Sequence, residues 1–405
     1  MILVTLLVVL GLLVGAWAAT ARSYRLSGVV VVSLLAVYTL LSVWALPVFL
    51  LSTALAYVGL EVVQRRWLFY GRRLLLTAVL LGAVVPVVAV LAVTATVGRG
   101  IPDSGFLFYG SILPGIAAYN FHRQDADRRL VDAAATAALY LGLVVVGVVA
   151  LVLWATPPCT TCGLLPRPPA TYVTPVLLDA GSDVANILGF RTTLAEPPVG
   201  TLGLVTVVVG LGLALTEFVR FRWGLRSVGV VAIPLVVLFA FRTWWVLPLY
   251  VGTVAVVYAG VQVVHRRTLL YGRALLSLGS VLGVLVALPA AVALDLTGGA
   301  SGLTTVFVGL LGGVGGYAVH ATARRERAAM LVLSAGIFVV SFAVARLLVT
   351  PLPDGLGTPL TGWHVAAGVV VLAAAAWQAY DLERFRPSQR RLLDASPFTT
   401  EVTGR

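Results

Sequence analysis

Long apolar runs separated by short polar loops follow one another along the whole chain. Most runs hold about 17–25 residues, the length at which an α-helix crosses the hydrocarbon layer of a membrane. They fall at 2–19, 27–45, 47–63, 74–97, 106–120, 130–155, 201–219, 228–246, 248–264, 274–296, 303–319, 329–349 and 363–380. The pattern predicts an all-α fold, a polytopic membrane bundle of about thirteen transmembrane segments.

The fifth and eleventh segments are shorter than the others and rich in glycine. The fifth contains a Pro-Gly pair, which interrupts a helix and frees backbone groups for binding. We therefore expect both segments to be broken or re-entrant, although a kink that only improves packing is the alternative. The residues of this predicted broken-helix segment are Pro114, Gly115, Arg123 and Gln124, with Gly312 and Gly313 in the eleventh segment.

Composition agrees with a membrane protein and excludes an ordinary soluble domain. Of the 405 residues, 60% are hydrophobic and only 11% are charged, too few charges for a surface that faces water. The chain has 28 basic and 16 acidic residues, and every basic residue is Arg. These arginines fall in short loops between apolar runs, so membrane topology explains them better than a nucleic-acid partner does.

The arginine-rich loops predict an orientation in the plasma membrane. The loops TARSYR, QRRWLFYGRR, FHRQDADRR, RFRWGLR, HRRTLLYGR and HATARRER all fall on one side when the helices alternate. The positive-inside rule makes that side cytoplasmic. We therefore expect the N-terminus outside and the C-terminal tail in the cytoplasm.

The chain contains an internal repeat. With an offset of 201, residues 44–73 match residues 245–274 at 14 of 30 positions, including Trp, Pro, Tyr, Gly and three Arg. Each copy has six segments, an even number, so both copies run the same way through the membrane. The predicted organisation is a first membrane repeat at 1–155, an extracytoplasmic Pro-rich loop at 156–200, a second repeat at 201–350, an outer loop with an extra helix at 351–380 and a cytoplasmic tail at 381–405.

The loop between the third and fourth segments of each copy carries the sharpest motif, Tyr-Gly-Arg flanked by arginines. Arginine suits carboxylates because its planar fork makes paired hydrogen bonds, so the loops could bind a polyanion or a cytoplasmic partner. The alternative is that the arginines only anchor the loop and Gly only permits a tight turn. The candidate residues are Arg65, Arg66, Tyr70, Gly71, Arg72 and Arg73, with Arg266, Arg267, Tyr271, Gly272 and Arg273 in the second copy.

Few ionisable residues fall within the predicted spans. Glu217, Arg242 and Arg346 are the candidates for intramembrane charges; an ion pair for Glu217 and snorkelling of the arginines to the outer interface are the simpler interpretations. Asp132 lies near a segment end, where we expect it to be interfacial. Cys159 and Cys162 of the outer loop predict a disulfide or free thiols rather than a metal site, because no His lies in that loop.

The sequence LFYGRRLLLTAVLLG followed by GSILPGIAAYNFHRQD resembles the PgsC/CapC family of poly-γ-glutamate biosynthesis membrane proteins. The resemblance covers 1–155 as one family unit and 201–350 as a second, more diverged unit. The duplication, the added last helix and the tail depart from the family, whose members are usually a single copy.

The resemblance implies a membrane subunit of a capsule polymer synthesis and export complex. It implies a cytoplasmic ATP-dependent amide ligase and other membrane subunits as partners, with the anionic polymer as the molecule handled. The chain itself has no phosphate-binding GxxxxGK[ST] loop, so we expect a non-catalytic subunit without a cofactor, and ATP on the ligase. The alternatives are a secondary transporter or permease built from a parallel repeat, and a membrane scaffold without a pore.

Overall fold

A computed structural model describes residues 2–22, 24–97, 106–155, 182–188, 202–268, 270–296 and 302–384. In these ranges the chain is helical, with no β-strand. The helices are α1 (Ile2–Arg22), α2 (Val29–Leu41), α3 (Ala45–Trp67), α4 (Arg72–Val97), α5 (Phe106–His122), α6 (Ala126–Ala155), α7 (Asp183–Ile187), α8 (Leu202–Trp223), α9 (Ala232–Arg242), α10 (Val246–Thr268), α11 (Gly272–Leu296), α12 (Gly302–Ala321), α13 (Arg327–Leu348) and α14 (Gly362–Arg384). The predicted all-α polytopic bundle is confirmed.

Nine of the described helices are long and apolar enough to cross a membrane. The short helices are α2 and α9, with 13 and 11 residues. The prediction that the fifth and eleventh segments are broken is wrong, because α5 and α12 are continuous. Residues 24–28 and 224–231, which precede α2 and α9, are non-helical and continue the arginine-rich loops that follow α1 and α8.

The Pro-Gly pair is accommodated within α5 because neighbouring helices pack tightly against it. Pro114 removes one backbone hydrogen bond, a loss that transmembrane helices tolerate. A Cβ atom at Gly115 would collide with the carbonyl oxygen of Ala78, and a Cβ atom at Gly313 would collide with that of Gly279. The repeated glycine therefore allows α5 and α12 to cross α4 and α11 in backbone contact.

The last turn of a helix leaves carbonyl groups without partners inside the helix. The C-terminal ends of α2 and α9 are capped in corresponding ways. The hydroxyl of Ser182 donates to the carbonyl oxygen of Leu40 over 2.5 Å. The backbone N–H of Leu352 donates to the carbonyl oxygen of Phe241 over 3.0 Å. Leu40 and Phe241 are related by the 201-residue offset, so connecting segments satisfy the same carbonyl group in both copies.

The two copies are placed side by side with their arginine-rich ends together. The guanidinium of Arg73, at the start of α4, lies 6.0 Å from the ring centre of Phe221, at the end of α8. We call the side with 68–71, 123–125, 224–231 and 322–326 the arginine side, and the other the opposite side. The shared direction agrees with a parallel repeat.

The copies meet along two seams that flank a packed aromatic centre. At the first seam α1 packs along α11; at the second, α8 contacts α4 and α5 over a shorter stretch. Between the seams, Tyr38 and Phe239 lie on either side of Phe307, at ring distances of 5.8 and 6.4 Å. Because all three rings are almost fully buried, the centre of the described bundle is filled by side chains.

Candidate functional site

The Tyr-Gly-Arg loops combine a left-handed glycine with exposed side chains. Gly71 and Gly272 have φ angles of +62° and +64°, in the left-handed region that favours glycine. This conformation explains why glycine occurs in both copies. Tyr70 and Tyr271 are 63% and 79% exposed, and no packing role in the described bundle accounts for either ring.

Most arginines of these loops are exposed on the arginine side. Arg65 forms an ion pair with Glu61 over 2.6 Å, one helical turn away. Arg66 is exposed, as are Arg266, Arg267 and Arg273 of the second copy. The side chain of Arg72 lies outside what the structure describes. The loops therefore present guanidinium groups to the solvent and the membrane interface.

A second arginine motif, which sequence analysis missed, joins three helices in each copy. Arg129 donates to the Gln124 and His122 carbonyl oxygens over 3.0 and 3.4 Å, and to the Tyr57 hydroxyl over 3.2 Å. Arg129 lies in the first turn of α6, whereas Tyr57 lies on α3. The guanidinium thereby satisfies carbonyl groups at the end of α5.

The second copy repeats this arrangement. Arg327 donates to the Thr322 and His320 carbonyl oxygens over 3.0 and 3.4 Å, and to the Tyr258 hydroxyl over 2.7 Å. An offset of 198 relates Arg129 to Arg327, so extending the repeat alignment by a few residues would have found both arginines.

Histidines lie beside both arginine motifs, with different partners in the two copies. In the first copy, His122 Nε2 lies 2.5 Å from Gln64 Oε1. In the second, the residue corresponding to Gln64 is His265, whose ring centre lies 5.1 Å from that of His320. The second copy thus has a histidine pair where the first has an amide and a histidine.

Asp132 is fully buried within the protein near the arginine-side end of α6, and its interfacial position in the membrane stays a prediction. Its Oδ1 accepts the backbone N–H groups of Arg25 and Leu26 over 2.8 and 3.0 Å. Leu26 and Ser27 have φ angles of +48° and +51°, which residues with a Cβ atom seldom adopt. Asp132 therefore holds a strained segment, and its Oδ2 has no hydrogen-bond partner among the described residues.

The residues of the predicted broken-helix segment mostly stabilise packing. Arg123 donates to the Tyr119 hydroxyl over 3.1 Å, and Gln124 is buried with its carbonyl oxygen bonded to Arg129. A Cβ atom at Gly312 would come within 2.6 Å of the Thr253 side chain. These contacts favour the packing interpretation over a site made by a broken helix.

The three candidate intramembrane charges lie towards helix ends. Glu217 is 3.9 Å from Arg220 on α8, in an i,i+3 ion pair. Arg242 is the last residue of α9, and Arg346 lies in the last turn of α13, both on the opposite side. A cation is stabilised at a helix C-terminus by the carbonyl dipoles, so neither arginine requires a path through the membrane.

Metal binding has little support in the part of the chain that the structure describes. There, no group of three or more His, Cys, Asp or Glu side chains is arranged to hold an ion. Cys159 and Cys162 lie outside the described residues, so the predicted disulfide stays a prediction.

Comparison with known proteins identifies the family. A sequence model of the capsule biosynthesis CapC family matches residues 10–130 and again residues 211–314, as a duplicated chain would. Searches of characterised proteins and of solved structures found no match. Because the two matched regions cover more than half of the chain, it belongs to the capsule biosynthesis CapC family and is a multi-pass membrane component of capsule synthesis.

Proposed function

We propose that this chain is the membrane subunit of a complex that makes and exports poly-γ-glutamate. In this proposal a cytoplasmic ATP-dependent amide ligase forms the amide bonds, and the chain, with other membrane subunits, docks the ligase and receives its product. The chain supplies no catalytic group of its own. The family match carries the assignment to capsule synthesis.

The exposed arginines of the two Tyr-Gly-Arg loops are the observation that carries the polymer proposal. Poly-γ-glutamate has one free carboxylate per residue, and a guanidinium can bind a carboxylate through two parallel hydrogen bonds. Arg66, Arg266 and Arg267 are exposed, and none of them forms an ion pair with a described carboxylate. A surface of unpaired cations concentrates a polyanion near it.

The orientation forms part of this proposal. The positive-inside rule places the arginine side in the cytoplasm, with the N-terminus outside and the C-terminal tail inside. A ligase that uses cytoplasmic ATP would then meet the loops directly. The capped ends of α2 and α9 would face the exterior.

A secondary transporter is the second candidate, and a buried carboxylate favours it. Ionisable residues inside a membrane bundle often bind coupling ions or protons. Asp132 on α6 is fully buried, beside the loop residues Arg25 and Leu26. Export of a polymer and transport of a small solute would both use such a feature, so polymer output must decide between them.

The test replaces the loop arginines in cells that make the capsule. We expect Arg65→Gln with Arg66→Gln, and separately Arg266→Gln with Arg267→Gln, to lower the amount of surface poly-γ-glutamate. Arg325→Gln is the matched control, because Arg325 is exposed on the same side but outside both loops. Unchanged polymer with normal membrane insertion would remove the proposed role of the loops.

The ligase partnership needs a separate test. We expect the purified chain to retain a Mur-ligase-like ATP-binding protein encoded in the neighbouring reading frame, and Tyr70→Ala with Tyr271→Ala to weaken that retention. Retention equal to that of the unmodified chain would show that the exposed tyrosines do not dock the ligase.

A further inference from the structure

An apolar cavity of about 220 Å³ lies at the second seam between the two copies. Its lining comes from α4, from α5 and from the segment before α9: Leu75, Leu76, Val79, Ile116, Tyr119, Asn120, Val230 and Val231. The volume is about seven times the roughly 30 Å³ that one water molecule takes up in the liquid. A ligand, rather than a single trapped water, fits this space.

The Tyr119 hydroxyl and the Asn120 amide N–H of the lining already have partners, and the rest of the lining is almost entirely apolar, so the cavity favours hydrocarbon over water. The Tyr119 hydroxyl accepts a hydrogen bond from Arg123 over 3.1 Å. The Asn120 amide donates to the Ile116 and Ser27 carbonyl oxygens over 3.0 and 3.4 Å. The other six residues are aliphatic, and a buried water needs two to four polar partners that they cannot offer.

Three arginines border the cavity on the arginine side. Arg73 lies one helical turn before Leu76, and Arg123 lies one turn after Tyr119, to which it is bonded. Arg25 belongs to the non-helical segment 24–28. In that segment the carbonyl oxygen of Ser27 accepts a hydrogen bond from the Asn120 amide. The rim of the cavity is therefore cationic, while its wall is apolar.

The charge on this rim is only partly neutralised, because Asp125 is the one carboxylate that acts on Arg25 among the described residues. The Nη1 atom of Arg25 is buried and has no hydrogen-bond partner among the described residues. Burial, together with the nearby charges of Arg273 and Arg123, lowers the pKa of Arg25. An anion bound between these groups would satisfy the free donor and relieve the repulsion.

At the corresponding positions of α11 and α12, different side chains occupy the rim and the wall. The 201- and 198-residue offsets relate Arg73 and Arg123 to Ala274 and Ala321. The same offsets place Ser277 and Ser280 where the cavity has Leu76 and Val79. The apolar wall is thus particular to one of the two related seams, although Arg273 of the other seam also lies near Arg25.

We propose that this seam binds an anionic phospholipid, with its phosphate between Arg25 and Arg123, Arg73 on the same rim, and part of an acyl chain in the cavity. Basic pockets between membrane helices bind anionic lipid headgroups in this manner. The aliphatic wall selects a lipid over a glutamate polymer, which carries a charge on every residue. This inference does not depend on the proposed function.

The test measures lipid binding to the purified full-length chain. After delipidation in detergent, dioleoyl phosphatidylglycerol or dioleoyl phosphatidylcholine is titrated and the bound lipid is counted by native mass spectrometry. We expect phosphatidylglycerol to bind more tightly, and Arg73→Gln and Arg123→Gln each to weaken it about fivefold. Leu76→Trp, which fills the cavity without changing the charge, should also weaken it.

Arg226→Gln is the matched control, because Arg226 is the counterpart of Arg25 but is exposed. Equal binding of the two lipids, or arginine variants that bind no worse than this control, would overturn the proposal. Binding of a γ-linked glutamate decamer at the same arginines, without binding of the lipid, would assign the site to the polymer and also overturn it. Because Arg73 and Arg123 are exposed, their replacement should leave the fold intact, which the size-exclusion profile checks.

Discussion

Single guanidinium groups decide how the helix junctions on the arginine side are held. Arg129 and Arg327 each bond two carbonyl oxygens at the end of one helix and a tyrosine hydroxyl on another. In a membrane protein such carbonyl groups have few other partners near the hydrocarbon boundary. These arginines are therefore structural, whereas the exposed loop arginines remain available to a partner.

Replacing Arg327 should destabilise the protein. Arg327→Gln removes its hydrogen bonds to the Thr322 and His320 carbonyl oxygens and to the Tyr258 hydroxyl, so we expect a loss of about 2 kcal/mol and a lower midpoint of thermal unfolding. The midpoint can be followed by tryptophan fluorescence of the purified chain. Arg324→Gln is the control, since Arg324 is exposed one turn earlier. Equal shifts in the two variants would contradict the structural role.

Asp132 should stabilise residues 24–28, the segment before α2. Asp132→Ala leaves the N–H groups of Arg25 and Leu26 without their acceptor, at a cost of about 1–3 kcal/mol for each unsatisfied group. We expect faster hydrogen–deuterium exchange at residues 24–28 and a lower unfolding temperature. Asp127→Ala, at an exposed site on the same helix, should change neither by a comparable amount. Unchanged exchange at 24–28 would show that Asp132 does not hold the segment.

Glycine positions decide how closely the helices approach. Gly115 brings α5 against the backbone of α4, and Gly313 does the same for α12 and α11. Without a strong hydrophobic force between helices in lipid, this close packing is a main source of association. The short helices α2 and α9 then occupy the interior, where neighbouring segments satisfy their C-terminal ends.

A methyl group at the crossing should therefore be costly. We expect Gly115→Ala to destabilise the protein by about 1–3 kcal/mol, because the new Cβ atom meets the Ala78 carbonyl oxygen and the helices must move apart. Gly142→Ala on α6 is the matched control, since a Cβ atom there meets nothing within 4 Å. Thermal unfolding of both variants measures the difference. A control as unstable as Gly115→Ala would point to helix propensity or lipid contacts instead.

At the scale of the whole molecule, two similar units form an unequal pair. One seam is closed by α1 and α11, and the other contains the apolar cavity. The stacked rings of Tyr38, Phe307 and Phe239 fill the centre. A conformational change would therefore have to separate these rings before a polymer could pass between the copies.

The orientation of the whole bundle can be tested by labelling. In a chain with Cys159 and Cys162 replaced by Ser, we expect Leu360→Cys to react with a membrane-impermeant maleimide in intact cells and Tyr271→Cys to react only after lysis. Both positions are exposed, on opposite sides of the bundle. Labelling of Tyr271→Cys from outside would reverse the proposed orientation and separate the loops from any cytoplasmic ligase.

The sequence by itself determined the membrane class, the helical fold and the duplication. Apolar runs of spanning length allow no other structure in lipid, because every backbone group must be satisfied within the segment. Repeated residues of distinctive type, such as the Tyr-Gly-Arg loops, established the duplication without any knowledge of contacts.

Only the tertiary structure decided which helices are short, which are continuous and which polar residues are buried. Pro114 and Gly115 suggest a break in isolation, but the close approach of α4 makes the same pair suitable for a continuous helix. Asp132 lies near a segment end in the sequence, and only the fold shows that it is buried and bonded to the backbone of the loop before α2. Both outcomes depend on contacts between residues far apart in the chain, and local composition does not contain that information.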